Sequence, residues 1–193
     1  MNSSQGNVAQ GSFAVVCTDG DSQCSTPGDQ VALPGSVAVG SSLQVVYVGG
    51  QSAENAVTIR PASPVMALQD GLSIQFTAKG YCALLARNNA GIVVDLVHVR
   101  AEPIGELVTG GPSSLAVGES GELTVAPHGP QDDVLGGSLA YSWSSSAPSV
   151  AAVDTSSHGT STKVLAVGPG VTTIRVATGA TESTLELTIS EAP

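Results

Sequence analysis

Charge is scarce in this chain. Only 11% of its 193 residues are charged, where an average soluble protein carries roughly 25%, so Ser, Thr, Gly and Gln must cover much of the surface. Cations are scarcer still: 6 Lys and Arg stand against 16 Asp and Glu, a net charge of -10. Phosphate binding needs clustered cations, so neither nucleic acid nor an anionic lipid surface is expected as a partner. Aromatics amount to 3% of the chain, one Trp, three Tyr and two Phe. A carbohydrate-binding accessory module presents exposed rings on which sugars stack. With Trp143, Tyr141 and Phe76 expected inside, only Tyr47 and Tyr81 remain for that task. No apolar run approaches the ~18 residues of a membrane span, so no membrane insertion is expected.

Motifs that carry chemistry are missing too. The chain has no G-x-S-x-G elbow, no H-E-x-x-H, no C-x-x-C, no P-loop and no G-x-G-x-x-G. Its three histidines are His98, on the outward parity of a strand, and His128 and His158, in predicted loops. They are expected at the surface. No catalytic residue and no cofactor is therefore assigned, and an enzyme is not expected.

What is present is a β pattern. Hydrophobic residues make up 41% of the chain, too many for intrinsic disorder. Val, Ile, Leu and Thr alternate over short runs, and Gly, Pro, Ser, Asn and Asp interrupt them. The expected strands of the first half are 13–17, 36–39, 43–48, 56–60, 65–68, 72–78, 81–87 and 92–100. Those of the second half are 106–108, 114–117, 122–126, 138–144, 150–153, 161–167, 171–177 and 183–190. Short strands at this density point to β-sandwiches.

The chain also repeats itself. Pro34-Gly35-Ser36-Val37-Ala38-Val39-Gly40 reads against Pro112-Ser113-Ser114-Leu115-Ala116-Val117-Gly118, 78 residues on. Lys79-Gly80-Tyr81-Cys82-Ala83-Leu84 reads against Pro169-Gly170-Val171-Thr172-Thr173-Ile174, 90 residues on. The second spacing is expected to persist to the last strands, where Val97 and Val99 would meet Leu187 and Ile189. The change in spacing places about 12 extra residues in the second copy, near 128–137 and 155–160, where loop insertions cost little. The expected organisation is a flexible N-terminal tether (1–10), one module over 11–101 and a second over 102–193. The joint near Ala101-Glu102-Pro103 is short, so little freedom between the modules is expected.

Residues 112–190 resemble the bacterial immunoglobulin-like group 2 family, the invasin- and intimin-type modules. The resemblance rests on Val117-Gly118-Glu119-Ser120, on Tyr141-Ser142-Trp143-Ser144-Ser145-Ser146-Ala147-Pro148-Ser149-Val150-Ala151-Ala152-Val153-Asp154, and on Val164-Leu165-Ala166-Val167-Gly168-Pro169-Gly170-Val171-Thr172-Thr173-Ile174. The first module matches weakly: Ile59 takes the place of Trp143, and residues 63–70 stand against 147–154. The resemblance implies two tandem immunoglobulin-like β-sandwich domains, all-β. It also implies a non-enzymatic role at a bacterial cell surface or envelope, as spacer, adhesion or protein-contact module. A phage virion component, such as a capsid decoration or tail protein, is one alternative, and a carbohydrate-binding accessory module of a larger enzyme is the other.

Parity sorts the core independently of any resemblance. Leu139, Tyr141 and Trp143 share one face, and one large ring can fill the gap between two sheets ~10 Å apart. Thr172, Ile174 and Val176 point inward with Leu187, as do Cys82, Leu84 and Ala86 with Val97 in the first module. Asp95 falls on the same inward face, so a bulge or an edge is expected there, since a buried unpaired carboxylate is costly. Gly80 and Gly170 precede strands at positions where a turn calls for positive φ.

Three cysteines remain. Cys17 and Cys24 bracket a turn-rich loop and are the favoured disulfide pair; a bridge from Cys82 to either is the alternative, and a disulfide would imply an oxidising compartment. Asp19, Asp21 and Asp29 lie near this loop as weak calcium candidates, without EF-hand spacing; ordinary turn formers look the same. The polar start, MNSSQGNVAQ, lacks the features of a secretory signal. Met1 is then either a native start or the point where a leader ended, with a lipid anchor upstream and residues 2–6 as its tether. The expected location is extracellular or in the cell envelope, with an unidentified protein or cell-surface partner.

Overall fold

The computed structural model describes residues 4–8, 11–24, 26–49 and 57–192. Among these, every regular element is a strand and no helix is long and apolar enough to cross a membrane. The first half contains β1 (Ser4–Gln5), β2 (Ser12–Val16), β3 (Gln30–Ala32), β4 (Ser36–Ala38), β5 (Ser42–Val48), β6 (Thr58–Pro61), β7 (Ala67–Asp70), β8 (Ser73–Phe76), β9 (Gly80–Arg87) and β10 (Val93–Glu102). The second half contains β11 (Glu106–Gly110), β12 (Ser114–Ala116), β13 (Ser120–His128), β14 (Ser142–Ser145), β15 (Ala151–Val153), β16 (Ser161–Ala166), β17 (Gly170–Thr178) and β18 (Thr181–Ser190).

These strands make two tandem immunoglobulin-like β-sandwiches. In the second, β11-β13-β16-β15 faces β12-β18-β17-β14. In the first, β2-β5-β8-β7 faces β4-β10-β9-β6, the same order strand for strand, with β1 and β3 added at the β2 edge. In both sandwiches the short strand that starts the second sheet runs parallel to the last strand, β4 on β10 and β12 on β18. Alternation builds the interior: Phe13, Val15, Leu43, Ile74, Phe76, Leu84 and Val99 fill one core, and Leu123, Tyr141, Trp143, Val164, Ile174, Val176 and Leu187 the other. Val97 is buried as well, at 9% exposure. Gly80 and Gly170 both adopt positive φ, 132° and 145°.

The repeat spacing needs one correction. Gly80 pairs with Ala101 and Gly170 with Ile189, so Val97 corresponds to Leu185 and Val99 to Leu187. The β9–β10 turn spans Asn88 to Ile92, whereas β17–β18 turns through Gly179 and Ala180 alone; a bulge between Val93 and Asp95 absorbs part of the excess. The shift is even, so every side chain keeps its face.

Asp95 sits at that bulge with 0% exposure. Its carboxylate accepts the Val8 N–H at 2.9 Å, the Leu96 N–H at 2.8 Å and the Tyr47 hydroxyl at 3.1 Å. Residues 4–8, expected in a flexible tether, are thus bonded: β1 pairs with β2, Asn7 N–H reaches Leu96 C=O, and Val8 reaches Asp95. The remaining tether residues, 1–3, 9 and 10, lie outside the described residues. Tyr47, expected as an exposed ring, is half-buried against Phe13 with centroids 5.1 Å apart.

Burial, reinforced by the Asp95 hydrogen bond and charge, pushes the Tyr47 phenol up to about 12. Its folded value lies above the unfolded one near 10, so the stability it contributes is complete below about pH 10 and is lost as pH rises toward 12. Tyr47→Phe is expected to lower neutral-pH stability by about 1 kcal/mol, the net worth of the hydrogen bond. It is also expected to flatten the alkaline decline. Chemical denaturation of both proteins between about pH 8 and 12 checks this; parallel declines would contradict it.

Candidate functional site at the junction of the sandwiches

The extra residues of the second module build the junction. β13 ends at His128, which bridges to Val134 across a turn where Asp132 takes φ 64°. The chain then leaves its own sandwich and runs along the first one. Gly136 N–H donates to Ser36 C=O at 2.9 Å and Gly136 C=O accepts from Ala38 N–H at 3.0 Å. Ser138 and Ser42 exchange backbone bonds of 2.8 and 3.0 Å, and Leu139 N–H reaches Gly20 C=O at 3.1 Å. The segment therefore acts as a short rung of sheet between the modules.

The disulfide loop of the first module grips the same segment. Cys17 and Cys24 are bonded, with Cα atoms 5.5 Å apart; closing so short a loop contributes about 2 kcal/mol on chain-entropy grounds. Ser22 Oγ donates to Leu135 C=O at 2.9 Å, and Ser138 Oγ donates to Asp19 C=O. Leu135 is fully buried. The Asp21 carboxylate accepts Gln23 N–H at 3.0 Å and also Gly137 N–H. Burial raises the Asp21 pKa, and the two N–H bonds hold the rise back. Cys82 is a buried free thiol, raised by burial.

The three calcium candidates take different places in this loop. Asp21 faces Gly137, Asp19 is exposed with its carbonyl taken by Ser138, and exposed Asp29 lends its carbonyl to Cys17 N–H at 2.7 Å. Among the described residues, the grouping with metal-ligand spacing is Glu106, His128 and Asp132, whose ligand atoms lie within 4.8 Å of one another. It sits at the surface, and His128 Nδ1 contacts Asp132 Oδ1 at 2.7 Å as an ion pair when protonated.

Two clefts flank the junction. One, about 490 Å³, lies between Thr18–Asp21 with Pro27 and the loop holding Ser156, His158 and Thr160. Its wall is tied to the second core, since His158 Nδ1 lies 3.3 Å from Tyr141 C=O and Trp143 Nε1–H donates to Gly159 C=O at 3.4 Å. The other, about 430 Å³, is lined by Val39, Pro103, Ile104 and Leu139 under the joint. The sequence placed the extra residues correctly but read them as free loop. The missed signal was Val134-Leu135-Gly136-Gly137, an apolar pair followed by two glycines in a stretch otherwise polar.

No protein-family model matches the chain, and no curated protein matches it. Among solved structures, domains 4 and 5 of the surface-layer protein SbsC are similar at TM-score 0.43 and 15% identity, covering 80% of this chain and 93% of that one. The adhesin InvE of Yersinia pseudotuberculosis is similar at TM-score 0.41 and 13% identity, covering 81% of this chain and 57% of its own. Invasin, a bacterial integrin-binding protein, is similar at TM-score 0.38 and 11% identity, covering 98% of this chain and 41% of its own. These likenesses are distant, and the fold stands on the strand order and pairing described above.

Proposed function

We propose that this chain is a non-enzymatic, exported two-module spacer of a bacterial cell surface or envelope. Its modules span 11–101 and 102–193, and it holds protein contacts at a fixed distance and angle. The observation that carries this reading is the rung of backbone hydrogen bonds from residues 136–139 to the first sandwich. A string of freely jointed modules has no use for such a rung, whereas a stiff arm depends on it. The Cys17–Cys24 bond supports export, because such bonds persist in oxidising compartments. The sequence resemblance of residues 112–190 to bacterial immunoglobulin-like modules supports the same location.

Labelling of intact source cells with a membrane-impermeant amine reagent tests the location. Lys79 is well exposed, its side chain at 65%, and is expected to be labelled without lysis. Labelling only after lysis, together with free Cys17 and Cys24 thiols in the native protein, would overturn the reading.

A further inference from the structure

Four of the chain's 6 cations fall in the first module, which carries Arg60, Lys79, Arg87 and Arg100 against six carboxylates. The second module, 102–193, has Lys163 and Arg175 against ten. The cations are also concentrated on one face. On β9, Cys82, Leu84 and Ala86 point into the core, so Tyr81, Ala83, Leu85 and Arg87 point out. On β10, Val97, Val99 and Ala101 point in, so Leu96, His98 and Arg100 point out; on β6, Ile59 points in and Arg60 out. Register spreads them along the face: Arg100 lies beside Tyr81 at one end, His98 beside Ala83, and Leu85 between Leu96 and Arg60, two residues from Arg87 at the other end. Glu102 engages Lys79 at 3.2 Å and Arg100 at 2.7 Å, and Asp133 also acts on Arg100, so Arg60 and Arg87 are the cations this face offers. Tyr81 is 70% exposed, and Arg87 Nε–H has no hydrogen-bond partner among the described residues. The result is a basic face with apolar side chains between its charges.

The second module offers the complement on the outer face of β11-β13-β16-β15. Glu106 on β11 and Glu122 on β13 point outward, and Asp132 lies within reach of Glu106. Glu119 is exposed at the β12–β13 turn, Lys163 lies opposite Glu122, and His128 lies beside Asp132 at the far end of β13. Val108 and Leu165, at 42% and 47% exposure, supply apolar contact among the carboxylates. A planar guanidinium pairs with a single carboxylate through two parallel hydrogen bonds, which lysine cannot do.

We propose that the basic face of the first module docks on the acidic face of the second module of another copy of this chain, so that copies associate head to tail. The two surfaces differ, which makes the contact heterologous; such contacts repeat into rings or open chains. Opposite charges set the register and the rate of encounter, and salt weakens them. The inference does not depend on where the chain is located.

Sedimentation velocity over a concentration series tests it. In about 20 mM salt the wild-type mass is expected to rise with concentration, and in about 0.5 M salt the association is expected to weaken about tenfold or more. R60Q/R87Q and E106Q/E122Q each remove one face at exposed or half-exposed positions, and circular dichroism verifies their folding. Each variant alone is expected to be monomeric. Their mixture is expected to form pairs that stop at two copies, because only one matching pair of faces remains. A wild-type monomer at every concentration would overturn the proposal, as would oligomers that survive in either variant. Retention of the wild type, but not R60Q/R87Q, on a sulfated polysaccharide column without self-association would assign the face to a different partner and overturn it equally.

Discussion

Replacing Gly137 with valine is expected to split one cooperative unfolding transition into two. A Cβ at this position would lie 2.2 Å from Ser41 Oγ and 2.8 Å from Ser41 Cβ, and the residue holds φ 95°. Ser41 cannot step aside. It is fully buried, and its hydroxyl donates to Ala38 C=O at 2.7 Å, closing the turn between β4 and β5. The valine must therefore push its own strand away, breaking the bonds of Gly136 and Ser138 to the first sandwich and the bond of Gly137 to Asp21. Backbone strain and several lost hydrogen bonds together cost about 3 kcal/mol or more.

That loss falls on the seam rather than on either core, because the two sets of packed side chains are separate. Scanning calorimetry should then show a single endotherm for the wild type and two for Gly137→Val, with small-angle scattering reporting a broader distribution of shapes. Gly28→Ala is the control. Gly28 also has positive φ, 89°, but a Cβ there meets nothing within 4 Å, so it carries the backbone strain without the wedge. It should lower the midpoint modestly and keep one transition. An unsplit endotherm for Gly137→Val at the wild-type midpoint would mean that the rung does not couple the modules.

Much of this architecture was legible in the sequence because its strongest signals are local and periodic. The alternation at Gly80–Arg87 and Gly170–Thr178 fixed which side chains face in, and the structure buries Cys82, Leu84, Ile174 and Val176 accordingly. Asp95 is instructive: one polar residue on an apolar parity was enough to expect a bulge or an edge, and a bulge is found. What covers that carboxylate was not legible, since Val8 reaches it from 87 residues away and nothing in a polar N-terminus announces a distant acceptor. The strand at Gln30–Ala32 was missed for a similar reason; it is held by Val16, Val15 and Ala14 opposite it rather than by a pattern of its own. The junction stayed hidden because its backbone hydrogen bonds carry no sequence signature, and the one local cue, Val134-Leu135-Gly136-Gly137, reads as loop.

The two cores reach similar packing by moving aromatic bulk, and that exchange predicts a coupled pair of mutations. Ile59 lies opposite Ala86 in the first sandwich, where Trp143 lies opposite Val176 in the second. Phe76 faces Ala67 on β7–β8, where Ala166 faces Ala151 on β15–β16. One buried ring therefore stands on opposite sheets in the two copies, Phe76 at 0% exposure and Trp143 at 5%, beside the further rings Phe13 and Tyr141. Trp143→Ala is expected to cost about 3–5 kcal/mol, since the cavity cannot collapse between two hydrogen-bonded sheets. Trp143→Ile restores the first copy's residue but leaves the ring's volume empty, and a loss of about 2–3 kcal/mol is expected. Ala166→Phe alone overfills the second core at about 1–3 kcal/mol. Combined, the two changes give the second core the first copy's residues at these two positions, so they should recover at least about 1 kcal/mol relative to the sum of the single losses. Denaturant unfolding of the two single variants and the double variant measures that difference directly. Strict additivity would show that the second sandwich holds Trp143 for a reason other than volume, and its Nε1–H bond to Gly159 C=O, which ties the core to the cleft wall, would then be the place to look.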